Sequence, residues 1–183
     1  MVLAMSDRRL RVKLAAVCRD MGPRAFPKLL ELLKNPALRD GAGELLDQTA
    51  GPSANGQVPA FIDCLKDKEI KHYCGRALLL AINPRSAAPV SKLIESLKKN
   101  SDADARIYAA GALGMLGPGA AAAVPVLIEI AGGPNAARAM AVKALGNIGR
   151  GARAAIPVLK QALQDNDGEV RRSAAHALKQ INK

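Results

Sequence analysis

The sequence has 183 residues, of which 49% are hydrophobic and only 2% aromatic, and its formal net charge is +11. This length suits a single domain, and a core of small aliphatic side chains fits closely packed helices better than a β-sandwich. A membrane span is not expected, because Pro125 and Glu129 interrupt the longest apolar run, and early charges argue against a signal peptide.

The three cysteines, Cys18, Cys64 and Cys74, are odd in number and lack the CxxC spacing of a zinc site. We therefore expect them to be small buried core residues rather than members of a disulfide framework or metal ligands. This cysteine usage favours a reducing, cytoplasmic compartment.

A short glycine-to-proline segment recurs along the chain. In order it reads GPRAFP (22–27), GPSANGQVP (51–59), NPRSAAPVS (83–91), GPGAAAAVP (117–125) and GRGARAAIP (149–157). These segments end at 27, 59, 91, 125 and 157, so the intervals are 32, 32, 34 and 32 residues, with Ser91 in place of proline. Such a period is typical of a repeat protein. A phosphate-binding glycine loop would follow a strand and occur once, so the segment predicts a break between helices.

Each period contains two helical patterns. The first, helix A, starts at the proline, which is tolerated in the first turn of a helix; helices A are predicted at 27–34, 59–66, 91–98, 125–131 and 157–164. The second, helix B, is predicted at 105–116, 137–148 and 170–181, and a further B-type helix at 10–21 has no helix A before it. In the last helix B one apolar face is expected from Val170, Ala174, Ala177, Leu178 and Ile181.

Glycines near the ends of helices B have two predicted roles. Gly117 and Gly149 are expected to be left-handed C-caps, while Gly114 and Gly146 should let neighbouring helices approach closely. At the N-terminus the apolar residues Leu3, Met5, Leu10 and Leu14 lack an obvious polar capping helix. We expect another molecule, or further repeats, to cover one end of the array.

Several motifs resemble HEAT repeats, specifically the short HEAT-like repeats of the bilin-lyase type. They are the helix-A proline, DxDxxVR at 165–171, and AxxALGxxG at 110–117, with Ala109 beside it as the first alanine, and at 141–149. The resemblance implies an all-α fold, a right-handed α-solenoid of about five helix pairs plus an N-terminal helix, with residues 1–183 in one domain. It also implies that B helices line the concave side and that A helices lie outside. Members of this class act as scaffolds, adaptors, lyase subunits or nucleic-acid binders.

The resemblance further implies a hydrogen-bonded ladder between repeats, built from a turn aspartate and a helix-B cation. The matching cations are Arg11, Arg39, Lys71, Arg106, Arg138 and Arg171, and the matching acids are Asp67, Asp102 or Asp104, and Asp165. Asn35 replaces the acid in one unit, and the GGPN unit at 132–135 has none. Arg39 and Arg138 are therefore expected to be freer to meet a partner, unless they are ordinary ladder or solvated arginines.

The sequence offers no recognisable catalytic constellation. His72 and His176 fall in different repeats, the carboxylates sit at helix-pair turns, and no serine or cysteine has a nucleophile motif around it. His176 is expected at the surface. We predict a non-enzymatic protein without a metal or other cofactor.

Alignment of the B helices brings polar, aromatic and sulfur-containing side chains into shared columns. Tyr73, Tyr108 and Met140 fall in one column, and Arg76, Lys143 and His176 in another. The predicted partner-binding residues are Tyr73, Arg76, Tyr108, Met115, Met140, Lys143, Arg172 and His176. Tyrosine, methionine and arginine are enriched at protein interfaces. The alternative is that the tyrosines pack between successive helices.

The charge is concentrated toward both ends: residues 1–40 carry +5, residues 41–124 carry +1, and residues 125–183 carry +5. This distribution lacks the continuous basic stripe expected for duplex binding. We therefore predict a cytoplasmic scaffold or adaptor that binds an acidic protein partner through the concave helix-B face. The first alternative is a non-specific, salt-sensitive nucleic-acid-binding module. A second alternative, from the resemblance alone, is a bilin lyase-like subunit.

Overall fold

The computed structural model describes residues 8–84 and 90–183, and within these ranges the regular structure is entirely helical. The α-helices are α1 (Arg8–Met21), α2 (Phe26–Leu33), α3 (Arg39–Thr49), α4 (Val58–Cys64), α5 (Lys71–Ala81), α6 (Val90–Lys99), α7 (Ala103–Leu116), α8 (Val124–Gly132), α9 (Arg138–Ile148), α10 (Ile156–Ala162) and α11 (Gly168–Ile181). Short 3₁₀ helices occupy Gly22–Ala25, Pro52–Gln57, Gly117–Ala123 and Gly149–Ala155. The chain divides into two compact units, with the boundary in sequence between Ile82 and Asn83.

The recurring glycine-to-proline segment separates helices, as its spacing predicts. Gly22, Gly117 and Gly149 have φ angles of +56°, +56° and +69°, which glycine adopts without a steric penalty. Each of these glycines begins a 3₁₀ helix that leads into the next helix A. Prolines occupy the first turn of α2, α4, α8 and α10, where a missing N–H costs little.

The first unit contains the helix pairs α2–α3 and α4–α5, and α3 packs against both α1 and α5. Phe26 and Phe61, which begin or lie within consecutive A helices, meet edge to face with ring centroids 5.7 Å apart. Both phenylalanines are fully buried. Leu3 and Met5, whose cover was in question, lie outside the described residues.

The second unit contains three helix pairs, α6–α7, α8–α9 and α10–α11. The B helices α7, α9 and α11 form one layer with α9 in the middle, and the A helices α6, α8 and α10 form another with α8 in the middle. Leu113, Leu127 and Leu145 are fully buried between these layers. The all-α fold of stacked helix pairs, an α-solenoid architecture, is thus confirmed, whereas its handedness and the single-domain organisation stay predictions.

Glycine allows the B helices to pack at short range. A Cβ atom at Gly146 would lie 2.8 Å from both Cα and Cβ of Ala177, and one at Gly114 would lie 3.1 Å from Cα of Ala144. A Cβ contact of 2.8 Å is essentially never found and one of 3.1 Å is unusually tight, so glycine suits both positions and is the more strictly required at Gly146. The prediction that both glycines permit close helix approach is confirmed.

The predicted apolar face of α11 is correct at four of its five positions. Val170, Ala174, Ala177 and Ile181 are buried, but Leu178 is half-exposed. The equivalent Leu145 of α9 is fully buried because α9 lies between α7 and α11. Within the second unit α11 has a neighbouring B helix on one side only, so Leu178 lacks that cover.

The stretch from Ala103 to Gly132 is apolar enough to pass for a membrane span, with a mean hydropathy of 1.7 in its best 18-residue window. This run is longer than the interruptions at Pro125 and Glu129 suggested. Half of that window is buried inside the fold, and Gly117, with φ of +56°, ends α7 before α8 begins. A spanning helix needs about 20 continuous residues, and here the apolar residues instead form the core of two helix pairs.

Two cysteines do not follow the sequence prediction. Cys64 at the end of α4 and Cys74 in α5 form a disulfide, with their Cα atoms 5.9 Å apart. The odd number of cysteines concealed this pair, because ten residues of chain return Cys74 to the adjacent helix of the same repeat. Cys18 is a free, half-buried thiol, and burial raises its pKa.

The burial of Leu145 leads to a stability prediction. Replacing a fully buried leucine with alanine removes apolar contacts and leaves a cavity, so Leu145→Ala should lower the free energy of unfolding by about 2–5 kcal/mol. Urea unfolding measures the change. A loss below about 0.5 kcal/mol, the usual range for surface positions, would contradict this packing.

The contact between α9 and α11 leads to a second prediction. Gly146→Val should lower the free energy of unfolding by about 1–3 kcal/mol, because its side chain overlaps the backbone of Ala177. The control is Gly119→Val in the same unit, where a Cβ atom would have no neighbour within 4 Å. Equal stability of the two variants would show that the close approach of the B helices is not a requirement.

Candidate functional site

Tyr73, a predicted partner-binding residue in the first unit, is half-buried against the neighbouring helix B. Its hydroxyl donates a hydrogen bond to Oδ1 of Asp40 at 2.6 Å. Its ring covers Gly43 of α3, where any Cβ atom would overlap the ring. Tyr73 therefore packs between successive B helices, which was the alternative considered for the tyrosines, and its part in binding stays a prediction.

Arg76 is also engaged by α3. Its Nη2 lies 2.7 Å from Oδ2 of Asp47, and its Nε donates to Oδ1 of the same carboxylate at 3.1 Å. The guanidinium carbon lies 5.3 Å from the centroid of the Tyr73 ring. This bidentate geometry is the stronger form of arginine–carboxylate pairing, so Arg76 joins Tyr73 in linking α5 to α3.

The other predicted residues belong to the second unit and occupy the three B helices of one layer. Met115, Lys143, Arg172 and His176 are exposed, while Tyr108 and Met140 are half-buried. Their helical spacing puts them on one side of α7, α9 and α11, which we call the B face. The B face thus comprises Tyr108, Met115, Met140, Lys143, Arg172 and His176.

A groove of about 610 Å³ crosses the B face where α7 and α9 end. Its lining side chains include Met115, Asn147, Arg150, His176 and Gln180, and the rest of its lining is Pro118, Ile148 and glycine backbone. Met115 is 44% exposed, and it is the one large apolar side chain with such exposure among the described residues of the second unit. His176 and Gln180 approach through their Nε2 atoms at 3.2 Å. No carboxylate lines the groove.

Met115 and His176 are among the residues predicted from sequence, whereas Asn147, Arg150 and Gln180 are not. These three residues follow from the glycine-capped helix ends: Asn147 and Arg150 flank the α9 terminus, and Gln180 lies one turn after His176. Arg150 also donates a hydrogen bond to the backbone oxygen of Lys183. The recurrence of ALGxxG was the available signal, because it brings successive helix ends to one side.

The groove has no metal-binding constellation. Among the described residues no three histidine, cysteine or acidic side chains are grouped as metal ligands would be. His72 lies in α5 of the first unit and His176 in α11 of the second. The arrangement can bind a chain through apolar contact and hydrogen bonds from amide, imidazole and guanidinium groups.

The expectation that Arg39 and Arg138 are freer to meet a partner is wrong, because both arginines are paired, and the alternative of ordinary ladder arginines agrees with the structure. Nη2 of Arg138 donates to Oδ1 of Asp165 at 2.8 Å, and Nη1 of Arg39 donates to Oε2 of Glu69 at 3.1 Å. Each cation therefore bonds an acid of the following repeat, whereas the sequence-based expectation considered the turn that precedes the cation in its own repeat. The cation that faces the unit without an acid is instead Arg106.

The contact between Tyr73 and Asp40 affects proton binding. The hydrogen bond to the carboxylate raises the pKa of Tyr73, and burial and the negative charge of Asp40 act in the same direction. The positive charges of Arg76 and Arg39 oppose these effects. The folded chain thus keeps Tyr73 protonated to a higher pH than the unfolded chain does. Its stabilising contribution is complete below about pH 10 and is lost as the pH rises through the folded-state pKa.

This shift can be measured directly because the chain has two tyrosines and no tryptophan. In a Tyr108→Phe variant, tyrosinate absorbance should titrate above the value of about 10 found for the same variant unfolded in urea. Adding Asp40→Asn should lower the midpoint toward that value, since it removes the charged acceptor. A folded midpoint at or below the unfolded one would contradict the Tyr73–Asp40 contact.

Comparison with known proteins supports this architecture. A family model described as HEAT repeats matches residues 90–179. A crystal structure described as that of an engineered protein superposes with a TM-score of 0.63 at 22% sequence identity. The alignment covers 98% of this chain but 56% of the engineered protein, so the chain spans a little over half the length of that structure. At this identity the likeness shows the fold alone, and no curated protein matches the chain.

The matched region contains the helix pairs α6–α7 and α8–α9 and most of α10–α11, the part of the chain with the regular AxxALGxxG motif. The 32-residue spacing and the proline-initiated A helices continue the same pattern through the first unit. Stacked helix pairs of this kind form scaffolds suited to protein binding. The chain is a HEAT-repeat protein.

Proposed function

We propose that this HEAT-repeat protein is a non-enzymatic scaffold or adaptor that binds another protein through the B face. The observation that carries the proposal is the groove of about 610 Å³ with Met115 exposed in it. An exposed apolar side chain beside amide and cationic groups is typical of the centre of a protein interface. In the proposed arrangement the B face is the concave side of the array.

The charge around the B face supports an acidic partner. Residues 105–164 contain six basic residues and a single acidic one, Glu129. Lys143 and Arg172 are exposed on the B face, and Arg150 lines the groove. Complementary charge of this kind accelerates association and makes it sensitive to salt. A protein with an acidic patch next to an apolar side chain is therefore the partner that fits best.

A nucleic acid fits the same charge but not the composition of the surface. Single-strand binding draws on stacking against aromatic rings, and Tyr108 is the one aromatic residue between 83 and 183. A tetrapyrrole, the ligand implied by the bilin-lyase resemblance, gains no specific support from an open groove that is lined by a mixture of apolar side chains, polar side chains and glycine. Protein binding therefore remains the proposal.

A cytoplasmic location is part of this proposal and carries one consequence. Disulfides are rare in reducing compartments. In the cytoplasm Cys64 and Cys74 are therefore expected as two neighbouring thiols. Neither belongs to the B face, so the proposed binding does not depend on their oxidation state.

The proposal predicts a binding defect without a folding defect. In Met115→Ala, His176→Ala both changes are at exposed positions, so the helical fold should remain. Loss of central interface contacts often costs about 2 kcal/mol, which corresponds to roughly thirtyfold weaker binding. Affinity capture from nuclease-treated extract of the native host, followed by titration with the captured protein, measures the loss.

The matched control is Lys160→Ala, Gln161→Ala on helix A, where both residues are also exposed. It should bind as the unaltered protein does. Equal weakening of both variants would show that the partner does not use the B face. Capture that disappears after nuclease treatment would support the nucleic-acid alternative instead.

A further inference from the structure

Two consecutive repeats of the second unit contain equivalent sites at the turns between helices A and B. Oδ1 of Asn135 accepts the N–H of Ala137 at 3.0 Å, and Oδ1 of Asp165 accepts the N–H of Asp167 at 2.8 Å. Asn135 and Asp165 are thus the same position in successive turns. The cations that precede them by one repeat are Arg106 and Arg138.

The second of these sites is closed by an internal ion pair. Nη2 of Arg138 donates to Oδ1 of Asp165 at 2.8 Å, and the Asp165 side chain is only 15% exposed. The space left beside this pair is about 70 Å³, with Val158 and Gln161 in its lining. The Asp165 carboxylate therefore both neutralises the charge of Arg138 and fills much of the space beside it.

The first site has the arginine but no acid. Arg106 is half-buried, its guanidinium forms no hydrogen bond or ion pair within the described residues, and its Nε is buried without an acceptor. The Nε of Arg138 is likewise unpaired, so the difference between the sites is the missing carboxylate. Asn135 does not replace it: a neutral amide supplies no negative charge, and where Asp165 has a second oxygen Asn135 has Nδ2, which donates to the Ile130 carbonyl at 2.9 Å.

A cavity of about 550 Å³ opens beside Arg106. Lys98 adds a second positive charge, and Leu97, Val126 and Ile130 provide apolar walls. Glu129 also lines the cavity, but it is exposed and pairs with neither cation in the structure. Size alone does not distinguish this site: a cavity of about 590 Å³ in the first unit is lined by two lysines and two aspartates.

We propose that the cavity beside Arg106 binds a carboxylate side chain of the partner protein, which completes the ladder from outside. The inference rests on the proposed function and specifies the chemistry of the acidic partner. A glutamate or aspartate would form the pair that Asp165 forms with Arg138, and its methylene groups would contact the apolar walls. An unpaired, partly buried guanidinium is unfavourable alone, so this contact gains more than an exposed pair would.

The test uses a capped tetraglutamate peptide as the probe and tetraglutamine as its neutral counterpart. Tetraglutamate should shift the ¹⁵N NMR resonance of Arg106 Nε, and tetraglutamine should not. Arg106→Gln should weaken tetraglutamate binding by about tenfold, as expected for one charge-assisted pair. Lys160→Gln removes the same charge from an exposed position on α10 and should leave the affinity within about twofold.

Asn135→Asp is the second variant, because it supplies the missing acid internally. It should shift the Arg106 Nε resonance without any peptide and weaken tetraglutamate binding about tenfold. The inference is overturned if tetraglutamate leaves Arg106 Nε unmoved, or if Arg106→Gln and Lys160→Gln weaken binding equally. It is also overturned if duplex DNA moves this resonance and tetraglutamate does not.

The same variants separate this inference from the proposed function. If Arg106→Gln binds the captured partner normally while Met115→Ala, His176→Ala does not, the scaffold function stands and the Arg106 site is rejected. If both bind normally, the B-face proposal fails as well. Loss of partner binding in Arg106→Gln, with unchanged helicity, supports the site directly.

Discussion

The close contact between neighbouring B helices is the constraint on which the second unit depends. A single helix pair cannot bury its own apolar face, so each pair needs the next one. Gly114 meets Ala144, and Gly146 meets Ala177, at distances that leave no room for a larger side chain. These contacts bring α7, α9 and α11 into one layer and leave backbone, rather than side chains, at the helix ends. The groove on the B face is a direct consequence.

Polar contacts between repeats fix the register in which neighbouring helix pairs pack. Arg138 reaches Asp165 in the following turn, as Arg39 reaches Glu69 in the first unit. The Arg138–Asp165 pair is largely buried, so it fixes its turn relative to the neighbouring repeat more firmly than the Arg39–Glu69 pair, in which the Glu69 side chain is 72% exposed. Between the third and fourth repeats this contact is missing, and Arg106 is left with a cavity beside it. The fold tolerates the gap because the apolar contacts of α7 and α9 remain intact.

The two units use their aromatic and cationic B-helix residues differently. In the first unit Tyr73 and Arg76 are held by Asp40 and Asp47, so their polar atoms are largely satisfied internally. The equivalent positions of α9 are Met140 and Lys143, and Lys143 is exposed. Alignment of the B helices puts these residues in the same columns. The acidic residues of α3 nevertheless give Tyr73 and Arg76 a different role, because they bind them internally. This difference places the proposed binding surface in the second unit.

The 32-residue period, the proline-initiated A helices and the glycine caps follow from sequence, because each is a local backbone requirement repeated at fixed spacing. The close approach at Gly146 can also be predicted from sequence, because this glycine recurs at the same position of the AxxALGxxG motif. The Cys64–Cys74 pair and the Tyr73–Asp40 bond cannot be predicted in this way, because each joins residues of different helices. Tertiary structure alone shows that a ladder cation bonds the following repeat, and therefore that the missing acid isolates Arg106. A sequence period gives each residue its position within a repeat, but contact between repeats depends on how far each helix pair is rotated and shifted against the next.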